Sequence, residues 1–162
     1  MVPSEDEPSE EVDPSEEVYR RVLYDRNYYE IKEGKITRIS PEAFSDASFQ
    51  PSVDRVHLRQ GNPSHPQQGH KNAVLQLSVS LIKTIDSVKE SDAKGKELLV
   101  HAVYVKPDPI PAQEDQEANP AYALVKVRPE YRKPKPNSEF RKLKIALARL
   151  AEDRGVWAIR PW

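Results

Sequence analysis

The chain is poor in the residues on which most familiar catalytic motifs depend. Its 162 residues include no cysteine, one methionine and only five glycines. Without cysteine there are no disulfides, thiolate metal ligands or cysteine nucleophiles. The sequence also lacks a glycine-rich phosphate loop, a G-x-S-x-G nucleophile turn, a dinucleotide-binding fingerprint and an H-E-x-x-H metal motif. Most common enzyme classes therefore have no sequence support, and no cofactor is predicted.

Long apolar runs are missing as well. No segment is apolar for long enough to cross a bilayer, and the N-terminal stretch MVPSEDEPSEEVDPSEE has neither an apolar core nor a positive region. These features predict a cytoplasmic protein with no secretory signal and no membrane association.

Acidic charge is concentrated at the N-terminus. Residues 1–17 hold eight Asp or Glu, no Lys or Arg, and three Pro-Ser-Glu repeats. Removing these eight from the 26 acidic residues of the chain leaves 18 acidic against 25 basic, so the remainder carries +7. A polar segment of like charge cannot bury enough surface to offset its ordering entropy. The sequence predicts a disordered acidic tail over 1–17 and a single domain over 18–162.

Two apolar, β-branched runs organise the predicted domain. Residues 97–105 (ELLVHAVYV) and 121–127 (AYALVKV) flank a proline-rich acidic connection, and both are predicted as strands in the centre of one sheet. Other segments have strand-like patterns. They are 18–24, a hairpin over 28–39 that turns at Glu33-Gly34, the alternating run 52–59, 73 to about 79, and 156–162.

A helix is predicted from Glu139 to Arg154, and Gly155 follows as its stop. Its apolar stripe consists of Phe140, Leu143, Leu147, Leu150 and Ala151. These elements predict an α+β domain with a mostly antiparallel sheet of about five to seven strands and one substantial C-terminal helix.

The histidines and two arginines suggest one enzymatic hypothesis. Alternation over 52–59 predicts that Arg55, His57 and Arg59 share a strand face, where two guanidiniums could hold phosphate oxygens and an imidazole could move a proton. His101, in the predicted strand 97–105, could serve as a general base beside them. The alternative is a charged edge strand and a core histidine with one hydrogen-bond partner.

A metal site has weaker sequence support. His65 and His70 lie five residues apart in the polar loop 60–72 and could join His57 around an ion. Because no cysteine or carboxylate motif accompanies them, no metal is predicted.

A basic segment supports a nucleic-acid hypothesis. Residues 127–136 (VRPEYRKPKP) interleave Tyr131 with four cations, and basic groups neutralise phosphates while tyrosine stacks on unpaired bases. The candidate residues are Arg128, Tyr131, Arg132, Lys133 and Lys135. A solvated proline-rich loop is the alternative.

The acidic connection over 107–120 supports a protein-binding hypothesis. Its carboxylates contrast with the basic body and could contact a partner protein. The candidates are Asp108, Glu114, Asp115 and Glu117. An ordinary surface loop explains them equally well.

Four segments together carry a family resemblance. They are SPEAFSDASFQPSVDR at 40–55, HAVYVKPDP at 101–109, NPAYALV at 119–125, and the helix followed by WAIRP. In these, the chain resembles small bacterial proteins to which no activity is attached, some of them encoded beside multi-gene conflict or phage-defence cassettes. In that pattern a histidine often occupies the position of Tyr122, so the departure here favours a structural or binding role.

The sequence as a whole favours a non-catalytic accessory subunit that binds a partner protein in a bacterial, defence-type assembly. An enzyme acting on a phosphate-containing substrate or nucleic acid, and a module that binds RNA or single-stranded DNA, remain alternative hypotheses.

Overall fold

The computed structural model describes residues 11–24, 27–33, 35–46, 50–68, 71–85, 88–91, 94–95, 97–100, 103–127 and 136–160. Within these residues the chain forms a six-stranded antiparallel sheet, two separate two-stranded sheets and one long C-terminal helix. The predicted α+β class, the antiparallel sheet and the C-terminal helix are confirmed.

Ten strands and three α-helices occur in the described residues. The strands are β1 (Glu17–Val22), β2 (Tyr29–Lys32), β3 (Lys35–Ile39), β4 (Ser52–Arg55), β5 (Ala73–Ser78), β6 (Val88–Ser91), β7 (Glu97–Val100), β8 (Val103–Pro107), β9 (Tyr122–Val127) and β10 (Val156–Ile159). The helices are α1 (Ser64–Gln67), α2 (Val79–Ile82) and α3 (Pro136–Arg154), and 3₁₀ turns span Pro41–Phe44 and His57–Arg59. Among these helices, none combines the length and apolar character needed to cross a membrane.

The large sheet has the strand order β10-β5-β1-β4-β9-β8. The predicted pair 97–105 and 121–127 is adjacent in part, because β8 pairs with β9 in a register that places Val105 opposite Val125. Its predicted central position is wrong, since β1 and β4 form the centre, β8 lies at one side, and β7 pairs with β6 in a separate hairpin. An apolar sequence indicates that a strand is buried. An outer strand that is covered by other elements is buried as well, so the apolar sequence does not distinguish it from a central strand.

One face of the large sheet carries the hydrophobic core. Cross-strand partners share a sheet face, and the pairs Val18–Leu77, Val53–Ala123 and Val105–Val125 all belong to the main buried cluster. Helix α3 contributes Leu143, Leu147, Ala148 and Ala151 to the same cluster. The predicted apolar stripe of the helix is therefore confirmed.

The end of α3 depends on Gly155. Its N–H donates to the Ala151 carbonyl at 2.9 Å, and a Cβ at residue 155 would lie only 2.6 Å from that oxygen. A glycine is required by this close approach, and the chain then enters β10.

The prediction of a disordered tail over 1–17 needs correction for residues 11–17. Val12 is fully buried in the core, and its N–H donates to the Val105 carbonyl of β8 at 2.9 Å. Glu16 forms an ion pair with Arg55, and Glu17 begins β1. The average composition of the segment is acidic and polar, and it does not reveal that Val12 alone packs into the core. Residues 1–10 lie outside the described residues.

Residues 73–82 form a strand followed directly by a short helix. The alternating part is strand β5, in which Ala73, Leu75 and Leu77 are buried, and the chain then turns into α2 with Val79 and Ile82 buried. The prediction of a strand to about residue 79 is confirmed.

Candidate functional site

A cleft of about 250 Å³ lies where β1, β4 and β9 meet three loops. Tyr19 pairs with Asp54, and Asp54 with Tyr122, so these three side chains form a row on the sheet face opposite the core. The remaining walls come from the turn after the first 3₁₀ helix, from the end of α1, and from the connection between β8 and β9. Their lining residues include Glu42, Ser45, Asp46, Pro66, Gln68, Ile110, Gln116 and Asn119.

Arg20 fixes the turn that forms one wall. Although β1 and β4 both continue, their pairing covers only Val18–Arg55 and Tyr19–Asp54, and beyond these pairs the Arg20 side chain contacts β4 through Ser52. Its guanidinium donates to the carbonyls of Ala43 (3.1 and 3.2 Å), Ser45 (2.8 Å) and Ser52 (2.9 Å), and to the Ser52 hydroxyl (3.3 Å).

These five contacts match the five N–H donors of an arginine, so a buried cation is fully satisfied. Burial lowers the pKa of Arg20 to about 10, and Asp46, 3.9 Å away, opposes that shift. Arg20 therefore keeps its charge at neutral pH while it joins the turn at 43–46 to the start of β4.

A second buried cluster fixes the opposite wall. Asp54 accepts from Arg59 Nε at 3.1 Å and from Asn119 Nδ2 at 3.2 Å, while Arg59 Nη2 donates to Asn119 Oδ1 at 2.5 Å. Asn119 Oδ1 also accepts from the Ala121 N–H at 3.1 Å. The long connection from β8 to β9 is thereby fixed to β4, and the cleft has a defined shape before any ligand enters.

Arg21 lines the cleft from β1 and donates from Nη1 to the Gln68 Oε1 atom. Gln68 has a left-handed backbone with φ of 49°, which costs a non-glycine residue energy. The segment after α1 thus holds a strained conformation at the position that contacts Arg21.

Most charges in the cleft are paired within the protein. Asp54 pairs with Arg59, Glu42 with Lys144 at 3.1 Å, and Asp46 lies beside Arg20. Among the described residues that line the cleft, Arg21 is the only charged side chain that has no oppositely charged group within ion-pair distance. The net result is an unneutralised cation in a polar, aromatic cleft.

The tyrosines of the cleft are kept in the protonated form. Burial raises the pKa of Tyr122, and the nearby Asp46 carboxylate raises it further, while a hydrogen bond to Ser52 opposes these effects. Burial also raises the pKa of Tyr19. Both phenols can therefore donate or accept hydrogen bonds at neutral pH.

The predicted phosphate-binding strand face is not formed. The strand predicted over 52–59 ends at Arg55, and His57 and Arg59 lie in a 3₁₀ turn. Arg55 makes a two-pronged ion pair with Glu16, at 2.8 and 3.1 Å, while Arg59 contacts Asp54, which the alternation had placed on the other face. His57 is exposed, and His101 lies outside the described residues.

The metal and nucleic-acid candidates lie largely beyond what is described. His70 and the His65 side chain are outside the described residues, and within them no group of three His, Asp or Glu side chains could hold a metal ion. The nucleic-acid candidates are likewise outside, namely Arg128, Tyr131, Arg132, Lys133 and Lys135. Both hypotheses stay at the level of the sequence.

The partner-binding candidates all belong to the described residues, and all are exposed: Asp108, Glu114, Asp115 and Glu117. Bridges between Ile110 and Asn119, and between Gln113 and Gln116, fold the connection back on itself, with Glu114 and Asp115 at its tip. The same connection supplies Ile110, Gln116 and Asn119 to the cleft, so the acidic residues border a concave surface.

Sequence reasoning missed Tyr19, Arg20, Arg21 and Gln68. A usable signal was present, because two adjacent arginines interrupt the apolar run VYRRVL, and an arginine on the core face of a strand must have buried partners.

Comparisons with protein-family models, curated proteins and solved structures gave no match to this chain. The resemblance to small bacterial proteins therefore stays a prediction.

Proposed function

We propose that this protein is a non-catalytic interaction subunit that binds a partner protein through the cleft. The observation that carries the proposal is the pre-formed cavity, lined by Tyr19, Tyr28 and Tyr122 together with amide side chains, whose walls are fixed by two buried polar clusters. Fixed walls reduce the ordering cost of association, and the partly exposed Tyr28 and Tyr122 supply rigid contact area with a polar tip.

The enzymatic alternative has less geometric support. A phosphate could bind between Arg55 and Arg59 only if their contacts with Glu16 and Asp54 were broken, and both ion pairs are largely buried. Breaking a buried pair is costly because it leaves an uncompensated charge. These arginines are better explained as structural ties.

The cellular setting of the proposal comes from the sequence. The resemblance to proteins near defence cassettes, together with the sequence patterns that predict a cytoplasmic protein, leads us to propose a cytoplasmic assembly as the setting. The partner would then be another protein of that assembly.

The proposal is tested by blocking the cleft with one bulky side chain. Gln116 is exposed and lines the cleft, while its bridge partner Gln113 is exposed but does not line it. Tagged wild type, Gln116→Trp and Gln113→Trp would each be used for affinity capture from a bacterial lysate with quantitative mass spectrometry. Any captured protein would then be purified and its binding to all three measured by calorimetry.

The proposal predicts a purified partner that binds wild type and Gln113→Trp with similar affinity and loses about tenfold or more on Gln116→Trp. Equal binding to all three proteins would overturn it. So would hydrolysis of RNA, single-stranded DNA or a phosphate monoester by the wild type that the exposed substitution His57→Ala abolishes.

A further inference from the structure

We infer that the cleft recognises an extended partner segment in which Arg21 binds an acidic side chain and basic residues flank it. This inference rests on the proposed interaction function and specifies the chemistry of the partner. It follows from the distribution of charge inside the cleft and around it.

Arg21 supplies the anchor for the acidic group. Its Nη1 atom donates a hydrogen bond to the neutral amide oxygen of Gln68, which leaves other guanidinium donors for a ligand, and the side chain is partly exposed. A guanidinium presents paired donors that match the two oxygens of a carboxylate. The neighbouring Arg20 offers no such donors, because all five of its N–H groups are used by Ala43, Ser45 and Ser52.

Gln68 restricts the direction in which Arg21 points. The Gln68 side chain accepts a hydrogen bond from Arg21 Nη1, and both residues line the cleft. Gln68 is also the left-handed C-cap of α1, so the end of that helix fixes its backbone. Gln68 is therefore assigned as a positioning residue for Arg21.

The border of the cleft has the opposite charge from its anchor. Within the described residues, Glu114, Asp115 and Glu117 are exposed and take part in no ion pair, and they lie on the connection that forms one wall. Charge complementarity therefore favours a partner segment with a central Asp or Glu that pairs with Arg21. Lys or Arg side chains on either side of that residue would pair with the carboxylates of Glu114, Asp115 and Glu117. A uniformly acidic segment would be repelled by these carboxylates.

The test is a peptide selection on the immobilised full chain. Two pools of blocked pentapeptides would be used, acetyl-X-X-Glu-X-X-amide and acetyl-X-X-Gln-X-X-amide, and retained peptides would be quantified by mass spectrometry. The proteins compared are wild type, Arg21→Gln, Arg21→Lys, Gln68→Ala and Arg141→Gln, each first shown by thermal unfolding to be folded. Arg141 serves as the control because it is exposed and does not line the cleft.

We expect wild type and Arg141→Gln to retain the Glu pool about tenfold or more over the Gln pool. The reason is that only the Glu pool can form a charge-assisted hydrogen-bonded pair with Arg21. Retained peptides should be enriched in Lys or Arg beside the central Glu. Arg21→Gln should abolish the preference, and Arg21→Lys and Gln68→Ala should reduce it. Equal retention of both pools, or a preference that Arg21→Gln leaves intact, would overturn the inference.

Inorganic phosphate serves as a competitor that separates two anion chemistries. If phosphate displaces the Glu pool more effectively than free acetate does at equal concentration, the site prefers phosphate and the assignment to a carboxylate side chain is overturned. The proposed function has its own independent readout. A purified partner that Gln116→Trp excludes but that binds Arg21→Gln normally would leave the interaction function standing and refute only the charge recognition.

Discussion

Arg59 Nε lies 3.1 Å from a carboxylate oxygen of Asp54, and each of these side chains is only 10% exposed. The two residues are five positions apart, and a 3₁₀ turn brings them together. Asn119 lies 65 residues after Asp54 and 60 after Arg59, and it completes the cluster by hydrogen bonding to both. This contact joins the centre of the sheet to the loop that borders the cleft.

Asp54→Ala should destabilise the fold by about 3 kcal/mol, because it leaves a largely buried guanidinium without its partner. Urea unfolding followed by circular dichroism would measure the change. The control is Glu30→Ala, which breaks an exposed pair with Lys32 and should cost less than about 1 kcal/mol. Similar costs for the two variants would contradict the structural role given to Asp54.

Arg20→Lys should destabilise the fold by about 2 kcal/mol. Lysine keeps the charge but has three donors on one nitrogen, which cannot reach the carbonyls of Ala43, Ser45 and Ser52 together, so buried acceptors lose their partners. The same substitution at the exposed Arg154 should change the free energy of unfolding by less than about 0.5 kcal/mol. Chemical denaturation of both variants decides the matter, and an unchanged midpoint for Arg20→Lys would refute the clamp.

The sequence was informative where one local rule governs the structure. The helix stripe from Phe140 to Ala151, its stop at Gly155 and the hairpin over 28–39 each follow from spacing and turn chemistry within a few residues. Strand β6 was missed, because its sequence VKES has the composition of a charged turn although it pairs with the neighbouring strand β7.

The candidate site was harder to predict than the fold. Alternation over 52–59 placed Asp54 and Arg59 on opposite faces, but the strand ends at Arg55 and the following turn reverses that relation. Arg55 and Arg59 looked like ligand-binding residues because their partners, Glu16 and Asp54, cannot be recognised as neighbours from spacing alone. The charged side chains that stay available to a ligand are those left over from such long-range ion pairs. Arg21 is recognised as one of them only when the partners of the other charged residues are known.

Val12→Ala should destabilise the fold by about 2 kcal/mol, because Val12 is only 1% exposed and packs in the core against the main sheet. The matched control is Val156→Ala, where the side chain is 62% exposed and the expected loss is below about 1 kcal/mol. Thermal unfolding of the full chain would compare them. A negligible effect at residue 12 would restore the prediction that the whole of 1–17 is detached from the domain.

Leu147→Ala should cost about 3 kcal/mol, whereas Ile145→Ala on the same helix should cost less than about 1 kcal/mol. Leu147 is 1% exposed and belongs to the core cluster, while Ile145 is 41% exposed. Equilibrium urea unfolding of the two variants tests which face of α3 packs on the domain. The opposite ranking would mean that the helix is rotated about its axis.

Glu42 should contribute to stability in a pH-dependent way. The hydroxyl of Ser45 donates to Glu42 at 2.6 Å and Lys144 contacts it at 3.1 Å, and these interactions hold the pKa of Glu42 below its ordinary value of 4.5. A carboxylate whose pKa is lower in the folded state stabilises the fold above pH 4.5, and this contribution disappears as the pH falls through the lowered value.

Carbon-detected NMR titration should therefore give a pKa below 4.5 for Glu42 in the wild type and a higher one in Ser45→Ala, which removes the largest cause of the shift. The stability difference between wild type and Glu42→Gln should be constant near neutral pH and shrink in acid. A wild-type pKa at or above 4.5, or a value that Ser45→Ala leaves unchanged, would show that the turn at 42–45 is not held by this carboxylate.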